Sequence, residues 1–207
     1  MDIEEYREKI KKKTINTKEL EILAPALFTQ EPHSDTSDKY HFIKTIDVIE
    51  EIKANNWYPV SVKVSNVRDE EKEGFQQHCV RFRHFEDLLN PKDNAVEILL
   101  FNSHDRSKAF SILAGIFRFV CANGLVISDS VFEAYKIKHL GERDNDVANA
   151  VNNITAIKPK LMEKIEKLES ITLNQSEKES FAKFSVPLRF EEHLDINHND
   201  LLIPHRF

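Results

Sequence analysis

The chain has 207 residues, of which 41% are hydrophobic, enough for one domain with a sizeable core. A net charge of −6 excludes a surface that is basic overall, so contact with nucleic acid requires a local basic patch. The 4 glycines form no phosphate-cradling loop, and 2 cysteines, Cys79 and Cys121, make neither a disulfide framework nor a cysteine-rich zinc site.

Residues 1–13 read as a short charged helix or frayed end carrying Lys9, Lys11, Lys12 and Lys13. No apolar signal core opens the chain, and no run approaches the roughly 18 apolar residues of a membrane span. A soluble, cytoplasmic protein without membrane contact is therefore expected. Residues 29–39 are loop-like. Thr45 is expected to N-cap a helix over 45–56, with Ile46, Val48, Ile49 and Ile52 on its apolar face.

The period then changes to two. Tyr58, Val60, Val62 and Val64 alternate with Pro59, Ser61, Lys63 and Ser65, which predicts a half-buried strand near a sheet edge. Residues 68–74 form a charged connection. A second strand follows at 78–85, with His78, Val80, Phe82 and His84 on one face and Cys79, Arg81, Arg83 and Phe85 on the other. Residues 95–103 read as a central strand, apolar on both faces. Residues 104–108 are a turn, and 109–121 is a fourth strand, although that length also fits a buried helix. Asn123 and Gly124 predict a tight turn into a returning strand at 125–139.

Beyond Gly141 the pattern is helical: Val147, Val151, Ile154, Leu161, Ile165 and Leu168 recur at helical steps. Pro159 predicts a kink or two helices meeting. A further helix covers 175–184. The expected fold is α+β, a mainly antiparallel sheet over 57–139 flanked by N-terminal and C-terminal helices. Residues 37–190 form the domain, 1–36 a charged leading segment and 191–207 a tail.

No catalytic constellation, metal site or cofactor site is expected. His78 and His84 share a face but stand about 20 Å apart along a strand, too far to hold one ion. His104 and Asp105 lie in a turn, where such residues are ordinary turn formers. Cys121 closes an apolar run with no base beside it. The basic residues carry more. Arg81 and Arg83 project from one strand face, Arg106 and Lys108 lie in the turn, and Arg118 sits within an apolar run where an unpaired charge is costly. Phe75, Phe82 and Phe85 are close in sequence. Arginine with aromatic side chains on a sheet suits single-stranded nucleic acid, through phosphate contact and base stacking.

Three segments, 37–60, 78–84 and above all 99–128, resemble the phage/plasmid-like proteins of domain of unknown function 932. That family shows an Asn-Ser-His-Asp-Gly-Ser turn followed by Gly, Arg, Cys and Asn-Gly-Leu. Asn102, Ser103, His104, Asp105, Ser107, Gly115, Arg118, Cys121, Asn123, Gly124 and Leu125 match it, and Arg106 stands where Gly is usual. The resemblance implies residence on phages, plasmids or integrated elements, and no established activity. The functional expectation is a non-enzymatic nucleic-acid-binding accessory protein of a mobile element, acting in replication or recombination on single strands through Arg81, Arg83, Arg106, Lys108 and Arg118. The alternative is an accessory factor, for example in counter-defence, whose partner is a host or element-encoded protein. Either reading allows a homo-oligomer.

Overall fold

A computed structural model describes residues 5, 8, 10, 12–67, 69–91, 95–120, 126–189 and 196–202. The elements are α1 (Thr17–Leu23), α2 (Thr45–Ala54), β1 (Trp57–Val64), β2 (His78–His84), α3 (Phe85–Leu89), β3 (Glu97–Asn102), β4 (Phe110–Val120), β5 (Val126–Ile137), α4 (Asp144–Ala156), α5 (Lys158–Glu169) and α6 (Gln175–Arg189). The five strands form one sheet in the order β1-β2-β3-β4-β5, every neighbouring pair antiparallel. The fold is therefore α+β. The segment expected at 109–121, which fitted a strand or a buried helix, supplies strand β4 over Phe110–Val120. No helix among the described residues is long and apolar enough to cross a membrane.

The chain divides into two compact units, residues 1–163 and 164–207. In the second, α6 packs with a 3-10 turn at His198–Leu202, and Leu168 is exposed. In the first, α2 packs on β1, and α4 packs on β4 and β5. Val48, Ile49 and Ile52 of α2 and Val147, Val151 and Ile154 of α4 are buried. They meet the sheet face bearing Trp57, Val80, Phe82, Ile98, Leu100, Phe110 and Ile112, all fully buried. The Trp57 indole donates to the Thr155 carbonyl at 3.3 Å, tying β1 to α4. Helices α4 and α5 meet at Ile157, just before Pro159, because proline has no N–H to continue the ladder.

Two expectations shift. Thr45 is not the N-cap of α2. Lys44 holds that position, and the fully buried Thr45 hydroxyl points elsewhere. The alternation of β1 changes phase at Val60, where a bulge separates Pro59 from Ser61. Tyr58 thus shares a face with Ser61 and Lys63, and Pro59 turns inward. The Pro59 carbonyl accepts the Ile15 N–H at 2.8 Å, so one group of this sheet edge is taken up by the chain before α1.

Candidate functional site

The second sheet face gathers charge. Antiparallel register places Lys63 opposite Cys79, Ser61 opposite Arg81 and Tyr58 opposite Arg83. It then places Cys79 opposite Phe101, Arg81 opposite Leu99 and Arg83 opposite Glu97. Ser111 of β4 carries the face on to Lys136 of β5. Directly opposed residues point the same way, so Lys63, Arg81, Arg83 and Lys136 share this face. Lys108 joins them, its ammonium 5.5 Å from the centre of the Phe101 ring.

Glu97 organises the centre. Its side chain is 2% exposed, against 23% for Arg81 and 34% for Arg83. Arg83 Nε donates to Oε1 at 2.6 Å, and Arg81 donates to Oε2 through Nε and Nη2. Arg81 Nη2 also donates to the Phe117 carbonyl at 2.9 Å. A guanidinium has five N–H donors, so each arginine keeps donors that Glu97 does not take. Two cations on one carboxylate leave a net positive centre, held in place by a buried acid. Beside it Cys79, Leu99, Phe101 and Phe117 form a small apolar cluster with Leu113 packed on it.

The structure thus brings together Arg81, Arg83 and Lys108. Arg106 lies exposed at the tip of the turn between β3 and β4. The side chain of Arg118 and the residues Cys121, Asn123 and Gly124 lie outside the described residues. Lys63, Lys136, Tyr58 and Glu97 were missed. Glu97 sits in an apolar run, and only the pairing of β2 with β3 reveals its partners. The phenylalanines singled out in the sequence do not face these arginines. Phe82 is fully buried on the opposite, helix-covered face because it follows Arg81 by one position. Phe75 packs edge-on against His33 at 5.1 Å, and Phe85 opens α3 with its ring 4.9 Å from His84. Tyr58, half-buried, is the aromatic residue opposite Arg83.

The turn at 102–108 has a different part. His104 is fully buried rather than at the turn surface. Its N–H donates to the Phe75 carbonyl at 2.8 Å, and its carbonyl accepts the His33 N–H at 2.9 Å. Ser103 Oγ accepts the Lys108 N–H at 2.9 Å and closes the loop. Asp105 accepts from the Ser107 N–H at 3.0 Å and the Ser107 hydroxyl at 2.6 Å. These bonds keep the Asp105 carboxyl below the usual range against the opposing effect of burial.

Behind the turn, His78, Asn102 and His104 converge on Thr45. His78 Nδ1 lies 3.1 Å from the Gln76 carbonyl, which can only accept, so Nδ1 carries the proton. Its Nε2 then accepts the Thr45 hydroxyl at 2.9 Å. That hydroxyl has one proton, so it accepts from Asn102 Nδ2 at 3.0 Å and from His104 Nε2 at 3.3 Å. Burial, which disfavours the charged ring, lowers His78 to about 4. Burial again, then the neighbouring His78 and His139, lower His104 to about 3. Both rings are neutral wedges between α2 and the sheet. Among the described residues no group of three or more His, Cys, Asp or Glu is arranged to hold a metal ion.

Arg106 has φ of 69°, the left-handed region that favours glycine. This is the position where the resembling turn carries Gly. A side chain there costs about 1–2 kcal/mol, and glycine returns about 0.5–1 kcal/mol of chain entropy to the unfolded state. Arg106→Gly is therefore expected to stabilise the fold by about 0.5–1 kcal/mol. A urea midpoint that stays put or falls would contradict this.

A family model described as Domain of unknown function (DUF932) matches residues 32–200. The UPF0380 proteins YfjQ and YafZ of Escherichia coli (strain K12) are each 28% identical to this chain over 194 residues, covering 93% of it and 70% of their own length. No solved structure matches.

Proposed function

Because the chain belongs to the family described as Domain of unknown function (DUF932), we propose a function carried by a surface: non-enzymatic binding of single-stranded nucleic acid. The setting is an accessory role in replication or recombination of a phage or other mobile element, in the cytoplasm. One observation carries the reading. Lys63, Arg81, Arg83, Lys108 and Lys136 share one sheet face, with Glu97 the carboxylate held among them. Among the described residues of the strands, Glu97 is the one carboxylate on this face, so the cations outnumber it there. Backbone phosphates are bound by such a cationic stripe, and Tyr58 offers a ring for a base to stack on.

The test must leave Glu97 its partners. Arg81→Ala with Arg83→Ala strips both cations from a buried carboxylate and damages the fold along with the surface. Lys63→Gln, Lys108→Gln and Arg106→Gly remove charge without touching Glu97. Fluorescence anisotropy with labelled single- and double-stranded oligonucleotides at about 50 and about 150 mM salt is expected to show micromolar single-strand binding. The triple variant should weaken it and flatten the salt slope by about 0.7 for each phosphate it no longer neutralises. Absence of binding at about 50 mM salt would sink the reading.

A further inference from the structure

The two edges of the sheet differ. β1 carries an inward proline, and its Pro59 carbonyl is taken by Ile15. β5 ends the sheet on the other side with β4 as its neighbour. Past β5, the chain at His139 and Gly141 is bonded to His41 and Lys39, and Phe132 is bulged between Val131 and Glu133, so residues 133–137 are the regular run of this edge that pairs with no further strand among the described residues. Alongside it lies a groove of about 500 Å³ between the strand and α4, lined by Tyr135, Lys136, Lys138, Arg143 and Asn149. Val131 and Leu140 stand 45% and 52% exposed at either end.

We infer that this edge and groove bind an acidic, extended segment of another protein, which adds to the sheet as a sixth strand beside β5. An edge strand presents unpaired N–H and C=O groups that any extended chain can use. The side chains choose among them. Arg143 and Asp146 neutralise each other at 3.0 Å. Lys136 and Lys138 are exposed and have no ion-pair partner among the described residues, whereas Glu133, the acid in this run, points to the other face with Tyr135, where the incoming strand would present uncharged side chains. A second copy of this chain is disfavoured by the same lysines. Antiparallel pairing of two β5 strands centred on Tyr135, Lys136 or Ile137 sets lysine opposite or diagonal to lysine, and like charges so placed destabilise a sheet. A strand with acidic residues at alternate positions reverses that sign. Its intervening side chains would face Tyr135 and the small Asn149 and Ala150 of α4, so small apolar residues fit there.

The probe is a capped seven-residue peptide alternating glutamate and valine. Hydrogen exchange of the intact protein is expected to show protection of the outward-pointing amides within 133–137, those that do not bond to β4, at sub-millimolar peptide. A lysine–valine peptide should give none, and Lys136→Glu with Lys138→Glu should lose at least tenfold in affinity for the acidic peptide. Both lysines are exposed, so the variant should keep its thermal midpoint within a few degrees. No protection up to millimolar peptide overturns the proposal. So does equal binding by the charge-reversed variant. Protection that instead rises with protein concentration would assign the edge to a second copy. Protection by an oligonucleotide alone would assign it to nucleic acid. Either result overturns the acidic strand.

Discussion

Glu97→Gln is expected to lower unfolding stability by about 3 kcal/mol, because it removes the charge from a buried carboxylate that holds two guanidinium groups. The amide keeps the size of the side chain but has one oxygen. Its NH₂ group would face a guanidinium donor, so one arginine loses its acceptor and both lose their counter-charge. Arg81 and Arg83 remain 23% and 34% exposed. Water relieves part of the cost, which sets the figure at the low end of the about 3–5 kcal/mol for breaking buried pairs. Urea unfolding measures it. A double-mutant cycle with Arg83→Gln separates the pair from the rest and should return a coupling of at least about 1 kcal/mol. A loss under about 1 kcal/mol for Glu97→Gln, with no coupling, would mean that the acid does not hold the two arginines in solution.

Acid should weaken the fold well above the pH at which its carboxylates protonate. His78 is lowered to about 4 and His104 to about 3, from an unfolded value of about 6.5. Between these values the unfolded chain binds more protons than the folded one, so stability falls as pH falls. The contribution is complete above about pH 6.5, erodes below it, and is exhausted for His78 once that ring charges near pH 4 and for His104 near pH 3. For His78 alone the loss reaches about 2 kcal/mol by about pH 5. His84 and His139, also lowered by burial, act in the same direction. The structural event is specific. A second proton on His78 Nε2 would meet the Thr45 hydroxyl, whose two lone pairs already accept from Asn102 and His104, so the hydroxyl must give up its donation and one of those bonds as well. That hydroxyl sits on the first turn of α2, whose positive helix end opposes an imidazolium. Urea midpoints at about pH 7.5 and about pH 5 test this, with His78→Gln as the comparison. The wild-type chain should lose stability across that interval, and the variant, weaker at the start, should lose less. Equal midpoints for the wild type at the two pH values would refute it.

Where the chain obeys a simple period, the structure is legible in it. Residues 78–84 alternate without interruption, so His78, Val80, Phe82 and His84 fall on one face as their spacing requires. In β1 a single extra residue, Val60, exchanges the two faces, and nothing in the composition of Tyr58 to Val64 announces it. A period-2 pattern has no memory of phase once a bulge intervenes. The turn at 102–108 was legible as a turn because serine, aspartate and their neighbours bond their own backbone. That His104 leaves it for the interior was not, since its neighbours there come from Thr45, Phe42 and His78.

The sequence by itself determined the α+β class, the strand segments and the helical turns that follow, because local periodicity and turn chemistry act within a few residues. It also brought Arg81 and Arg83 to one face, two positions apart on one strand. Only the tertiary structure decided what surrounds them. Strand register delivers Glu97 from β3, Lys63 from β1 and Lys136 from β5. Register is settled by which faces bury against helices and by where bulges fall, and both are properties of the assembled sheet rather than of any one strand.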